Sequence, residues 1–250
     1  MLDLSPRGPP HPSAQLLRPL AFPRLTRAAG KVLTRWYALT GRHRYDDYRL
    51  ERVQGVSLVV TPSVFNPRLP RTGAFLAAYL DAQPLANGAE VLDMGTGCGV
   101  CAIVAARRAR RVVAVDINAA AVRCARGNAL LNDAEERVEV RHGDLFAPVA
   151  GERFDLIVFN PPFLRGAARD DRDRAWRSAD VAERFAAGVC AHLKPGGSAL
   201  VVLSTFGGAA RFVEEFRRQQ LAVEVPAQRR FINERLAIVR LRPPGTEGAA

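Results

Sequence analysis

The sequence predicts an α/β fold: a doubly wound, mostly parallel sheet of seven strands, preceded by an N-terminal helical and strand extension. Three observations carry this expectation. From Glu90 onward, short apolar runs alternate with helically spaced ones, the order that builds parallel strands covered by helices on both faces. The first run, "AEVLDM", leads into a glycine-rich turn that opens a helix. A chain of 250 residues that is 48% hydrophobic and 24% charged can bury one large core.

The elements follow in order. Residues 1–44 form a basic, proline-rich arm in which Leu25, Ala28, Ala29, Val32, Leu33, Trp36 and Leu39 recur at helical spacing before Gly41. Residues 45–88 read as a structured prelude packing over the ligand site: "GVSLVVTPSVFNP" is a strand and a proline-bounded loop, and "RTGAFLAAYLDAQ" a helix. The main domain, 89–242, then runs "AEVLDM" strand, "GVCAIVAARRA" helix, "RVVAVD" strand, "NAAAVRCARGNALLN" helix, and the strands "RVEVRHGD" and "FDLIVF". "AWRSADVAERFAAGVCAHL" reads as one helix, "GSALVVLS" as a strand, "AARFVEEFRRQQ" as a helix, and "LAVEVPAQ" and "LAIVRLR" as closing strands. Residues 243–250 are a flexible tail rich in Gly and Pro.

Charge is unevenly placed. The arm holds eight Lys/Arg and one acid, +7 of the chain's net +11. Such an arm serves an anionic partner or is a solvated tail, and composition leaves both readings open. No apolar run approaches the ~18–20 residues of a membrane span, and the prolines of the first 23 residues interrupt any signal-peptide core. The expected location is the cytoplasm. Cys98, Cys101, Cys124 and Cys190 are too few for a disulfide framework, and the Cys98-Gly-Val-Cys101 pair lacks the second pair of a structural zinc site, so no metal is expected.

In an open parallel sheet, ligands bind beyond the carboxyl ends of the strands. "VLDMGTGCG" places Asp93 before Gly95, Thr96, Gly97 and Gly99, and the next strand ends in Asp116, where a carboxylate can accept hydrogen bonds from both hydroxyls of a ribose. The spacing is G-x-G-x-G, not the G-x-G-x-x-G of dinucleotide sites, and Asp93 suits a cationic ligand better than a pyrophosphate.

These residues, with "VVAVDIN", "HGDLF", "NPPF" and "LKPGG", resemble the class I S-adenosylmethionine-dependent methyltransferases from about Val91 to Leu241, a Rossmann-like fold. The resemblance implies S-adenosyl-L-methionine as cofactor. The Gly95–Gly99 turn would cradle its methionine part with Asp93 beneath, Asp116 would hold the ribose, Ile117 would pack on the adenine, and Asp144 and Leu145 would meet the adenine amine and its surroundings.

The most specific motif is Asn160-Pro161-Pro162-Phe163, which closes the apolar strand "FDLIVF". It is similar to the signature of methyltransferases that modify planar NH₂ groups, and the upstream "VVTPSVFNPRLPRTGAFLAAYL" resembles the release-factor glutamine and "methyltransferase small" enzymes. The protein-glutamine enzymes usually carry an acid beside the threonine, where this chain has Arg71 and Gly73. The chemistry has its own logic. A conjugated NH₂ is a poor nucleophile. Two acceptors, the Asn160 side-chain oxygen and the Pro161 carbonyl, can hold its hydrogens while the lone pair faces the methyl, with the prolines rigid and Phe163 stacked on the planar group.

The expected activity is therefore N-methylation of a protein glutamine or a nucleobase amine, RNA ahead of DNA, with a small metabolite as a third acceptor and no membrane partner. A nicotinamide oxidoreductase leaves the Asn-Pro-Pro-Phe motif unexplained, and a catalytically silent binding module leaves Asn160 without a role.

Overall fold

The computed structural model describes residues 47–68, 71–162, 164–165, 177–205, 208–231 and 234–245. The amphipathic segment 25–39, Phe163, Trp176 and the tail beyond 245 lie outside them.

A two-stranded antiparallel hairpin, β1 (Arg49–Val53) and β2 (Val56–Val60), comes first. Its two-residue turn, Gln54-Gly55, has positive φ at both positions (49° and 74°), the mirror-image geometry whose twist matches the strands. Helix α1 (Thr72–Ala82) follows. The main sheet is then built by β3 (Glu90–Met94), β4 (Arg111–Asp116), β5 (Val138–His142), β6 (Phe154–Phe159), β9 (Leu193–Ser204), β10 (Ala222–Arg230) and β11 (Arg235–Arg242). A short parallel pair, β7 (Leu164–Arg165) with β8 (Arg177–Ser178), lies outside it. The order across the seven strands is β10-β11-β9-β6-β3-β4-β5, and β11 alone runs against the rest.

Strand alternation separates two apolar layers. Val91, Val112, Ala114, Val158, Val202 and Ile238 face α1, α2 (Val100–Ala106) and α3 (Ala119–Leu131). Leu92, Val113, Ile157, Val201 and Val239 face α4 (Val181–Gly188) and α5 (Ala209–Arg218), where Phe185, Phe212 and Phe216 fill the layer. Buried on both faces, the central strands had to be continuous apolar runs. Pro226 sits in β10, at the edge of the sheet, beside a register shift between Glu224 and Ala227. An edge position is where a ladder tolerates a missing N–H.

Two expectations need correction. The strand β1 was not anticipated. The single helix expected over 175–193 is instead a strand pair at Arg177–Ser178, the eight-residue α4 and a 3₁₀ turn at Val189–His192. The Val181 N–H donates to Ser178 Oγ, which starts the helix late. At its far end Gly188 lies where a Cβ would meet the Phe146 ring at 2.6 Å. Among the described residues no helix is long and apolar enough to cross a membrane.

Candidate active site

The parallel register sets the carboxyl ends of three central strands side by side: Met94 pairs with both Val115 and Phe159. The residues that follow, Gly95, Asp116 and Asn160, therefore open onto one cavity of about 340 Å³. Asp93, Thr96, Gly97, Ile117, Asp144, Leu145, Pro161 and Pro162 line it too, so the structure brings these sequence-chosen residues together. The loop after β2 covers them through Val64, Phe65 and Pro67, with Gly73 of α1.

Asp93 is buried, with one oxygen accepting from Thr96 Oγ1 (2.6 Å) and from the Ala102 N–H (3.0 Å). It thus ties the glycine turn to the first turn of α2. Burial is the main force lifting its carboxyl to about 7; the Thr96 and Ala102 bonds oppose this, and the neighbouring Asp116 adds to it. Asp116 accepts from the Gly97 N–H on one oxygen and the Asn118 N–H on the other, both at 2.8 Å. Each oxygen keeps a lone pair for a ligand. Burial raises this carboxyl as well, against those backbone bonds.

The glycines differ in what they do. Gly95 has φ +63°, and a Cβ there would stand 3.5 Å from the Phe159 ring; Gly97 has φ +57°. Both are turn positions that line the cavity. Gly99 does not line it. It precedes α2 at φ +86°, and a Cβ there would press on Ala125 of α3 at 3.2 Å. Helix packing against α3 thus gives this position its own reason to be glycine.

Asp144 is engaged by a residue that sequence reasoning missed: Arg184 of α4 donates to its Oδ2 at 2.7 Å, and both line the cavity. Ile117, 38% exposed, is an apolar side chain left open on the cavity wall. The carbonyl behind it accepts from His142 Nε2 (2.9 Å).

Asn160 follows Phe159, whose ring packs tilted against Phe185 with centroids 4.6 Å apart. The rigid Pro161-Pro162 step comes next. Asn160 Oδ1 is buried and has no hydrogen-bond partner among the described residues. A buried acceptor in that state costs ~1–3 kcal/mol, and such costs concentrate where a ligand repays them.

The roof is held by amides. Asn118 caps α3 through the Ala120 N–H and donates to Ser63 O. Asn128 accepts from the Val59 N–H (2.8 Å) and donates to Val59 O and Cys98 O; Asn132 pairs with both backbone groups of Ser57. Of the upstream residues, Asn66 is structural, bonded to Glu51 Oε1 and the Arg68 N–H. Cys98, Cys101 and Cys124 are buried, with thiols pushed up chiefly by burial. Among the described residues no group of side chains could hold a metal.

The reversed β11 in an otherwise parallel sheet, with its cleft at the strand ends, is the class of Rossmann-like fold found in methyltransferases. The chain belongs to the methyltransferase small domain family, whose model matches residues 55–230. It is 36% identical over 159 residues to the release factor glutamine methyltransferase of Koribacter versatilis, covering 57% of this chain and 56% of that one. It is also 36% identical over 137 residues to the ribosomal RNA small subunit methyltransferase C of Alcanivorax borkumensis, covering 54% and 39%. The chain thus spans about half the length, or less, of these two relatives. Among solved structures it resembles the T. thermophilus 16S rRNA N2 G1207 methyltransferase in complex with AdoMet and guanosine, at TM-score 0.57 and 25% identity over 78% of this chain and 50% of that one.

Proposed function

We propose that this protein is an S-adenosylmethionine-dependent N-methyltransferase acting on a planar NH₂ group, a protein glutamine amide or a nucleobase exocyclic amine. The observation that carries the reading is the buried Oδ1 of Asn160 at the cavity wall, without a hydrogen-bond partner among the described residues. An acceptor kept dry and unbonded matches an NH₂ donor that arrives with the substrate.

The cavity's residues fit the cofactor. The glycine turn presents backbone without Cβ atoms, and Asp116 retains lone pairs for a ribose diol. Asp93 and Asp116 supply negative charge for a cationic ligand. They also occupy the N–H groups of Gly97 and Ala102, which argues against a pyrophosphate at this helix start and so against a nicotinamide dinucleotide. When bound, S-adenosylmethionine supplies a methyl already activated by its sulfonium.

The chain's own contribution is then placement. Asn160 Oδ1 and the Pro161 carbonyl accept the two NH₂ hydrogens, orienting the nitrogen lone pair and stabilising the positive charge that develops as the N–C bond forms. Pro161 and Pro162 keep those acceptors from rotating away, and Phe163, outside the described residues, is proposed to stack on the planar group. The nitrogen becomes acidic once methylated, so no strong base is required. The roof formed by the loop after β2 and the start of α1, held through Asn118, Asn128 and Asn132, excludes water from the sulfonium side. The cytoplasm is the proposed location.

The test is methyl labelling. Purified protein with methyl-labelled cofactor is added to an extract of cells lacking the gene, and the labelled fraction is digested with protease or nuclease. Label in N-methylglutamine or in an N-methylated base supports the reading. Label only on oxygen or carbon atoms, or tight NAD binding with none of S-adenosylmethionine, refutes it.

A further inference from the structure

The cleft's carboxylates, Asp93, Asp116 and Asp144, belong to β3, β4 and the turn after β5, on one side of Asn160. On the other side the strand order continues through β9 and β11 to β10, and the charge changes sign. β10 runs parallel to β6, so its last residues, Arg229 and Arg230, emerge at the same end of the sheet as Asn160, with Arg235 paired to Arg230 at the start of β11. Three strand spacings of ~4.8 Å, and a register that carries the hairpin end two to three residues beyond Asn160, put this corner roughly 15–18 Å from Asn160.

The entry to α1 adds Arg71, two residues before the cavity-lining Gly73. Its guanidinium lies over the Phe231 ring at 4.6 Å, and that of Arg229 over Phe75 at 5.4 Å. A guanidinium placed over a ring gains cation–π attraction and can still donate to an oxyanion. Among the described residues no carboxylate forms an ion pair with Arg229 or Arg230, and both are exposed. The acid of this corner, Glu234, accepts from Ser204 Oγ and lies in the field of Arg71.

We infer that this corner is a phosphate shelf, and that the methyl acceptor is carried by a single-stranded nucleic acid whose backbone crosses the β10–β11 hairpin into the cleft. The inference rests on the methyl-transfer reading and names its substrate class. Consecutive on a strand, Arg229 and Arg230 present cations on the two faces of the hairpin end, so a polyanion crossing that end can meet both, and the planar fork matches phosphate oxygens in pairs. An unpaired base can present its NH₂ edge to Asn160 at the cavity wall, whereas a base inside a duplex must first leave its stack. The acidic cofactor side and basic acceptor side thus sort a cationic ligand from an anionic one.

The test uses the full chain, a short fluorescent single-stranded RNA of mixed sequence, and anisotropy between about 50 and 200 mM salt. For a single strand, each phosphate that is no longer neutralised lowers the slope of log affinity against log salt by about 0.7. Arg229→Ser/Arg230→Ser should therefore lower it by about 1.4, and Arg230→Ser alone, which makes no cation–π contact among the described residues, by about 0.7 with an unchanged melting temperature. Calorimetric S-adenosylmethionine affinity should stay within about twofold in both variants, since neither residue lines the cavity. Equal slopes for wild type and both variants overturn the shelf. So does an acidic peptide that binds as tightly and loses affinity through the same substitutions, which would make the corner a protein-docking surface. A wild-type chain that fails to bind S-adenosylmethionine refutes the methyl-transfer reading instead, while a reduced slope would still support the shelf.

Discussion

Replacing Asn160 with alanine should separate folding from chemistry. Residues that merely shape a turn lose stability when truncated, typically by ~1 kcal/mol where a cap is removed. Asn160 differs because its Oδ1 is already buried and accepts no hydrogen bond among the described residues. Removing that acceptor relieves a desolvation cost of ~1–3 kcal/mol, set against forfeited packing of comparable size. The melting temperature should therefore hold or rise slightly, with ~1 kcal/mol corresponding to ~2–4 °C in a domain of this size. Methyl transfer should behave oppositely. Losing one of two placed acceptors, by analogy with losing one oxyanion-hole donor, lowers the rate about 10²–10³-fold, or ~2.7–4 kcal/mol of transition-state stabilisation. The assay pairs a thermal melt with single-turnover labelling of the acceptor fraction, at saturating cofactor. Cofactor affinity should change by less than about tenfold, because the glycine turn and Asp116 are untouched. A variant that melts several degrees lower yet transfers methyl at the full rate would show that Asn160 is only part of a turn.

Other perturbations address the cofactor side. Asp116→Ala should weaken S-adenosylmethionine binding at least about tenfold by calorimetry, since charge-assisted hydrogen bonds contribute ~1.5–3 kcal/mol; unchanged affinity would remove Asp116 from the site. Gly99→Ala forces a left-handed residue against Ala125 and should cost ~1–3 kcal/mol in chemical denaturation, with folded protein binding cofactor normally; a stable variant that has lost binding would return Gly99 to the ligand. Asp93, with its carboxyl lifted to about 7, gives two opposite pH trends. Ligand-free stability should fall as pH rises from about 4 to about 7, because the folded carboxyl keeps a proton that the unfolded one has released. Affinity for a cationic ligand should climb over the same range, by up to ~10-fold per unit, with proton release visible in buffers of different ionisation enthalpy; a pH-independent affinity would mean that Asp93 holds one protonation state throughout.

Much of this was readable in the residues, for a physical reason. β3, β4 and β6 are buried on both faces, so their sequences carry unbroken apolar runs, and the side chains that end them, Asp116 and Asn160, stand out against that background. β1 was not readable: "RLERV" is largely exposed, and its turn uses Gln54 at φ 49° where Asn or Asp would have signalled a hairpin. The stretch 175–193 is rich in helix formers throughout, and only the Ser178 bond to Val181 and the Phe146 ring against Gly188 decide where the helix runs. The close approach of Gly99 to Ala125 was not readable either, because it joins residues 26 positions apart. Arg184 gave no signal at all, because its pairing with Asp144 joins segments 40 residues apart.

The amide clamps on β2 have a consequence for self-association. A strand with one unpaired edge is a template on which another chain can add itself. β1 occupies one edge of β2; on the other, the N–H and C=O groups of Ser57 and Val59 are consumed by Asn132 and Asn128. Two side chains from a helix thus stand in for a third strand and leave those groups nothing to offer a newcomer. Substituting either asparagine with leucine would preserve the volume but reopen the edge, and intermolecular β-pairing, read by concentration-dependent light scattering, should then precede any loss of fold.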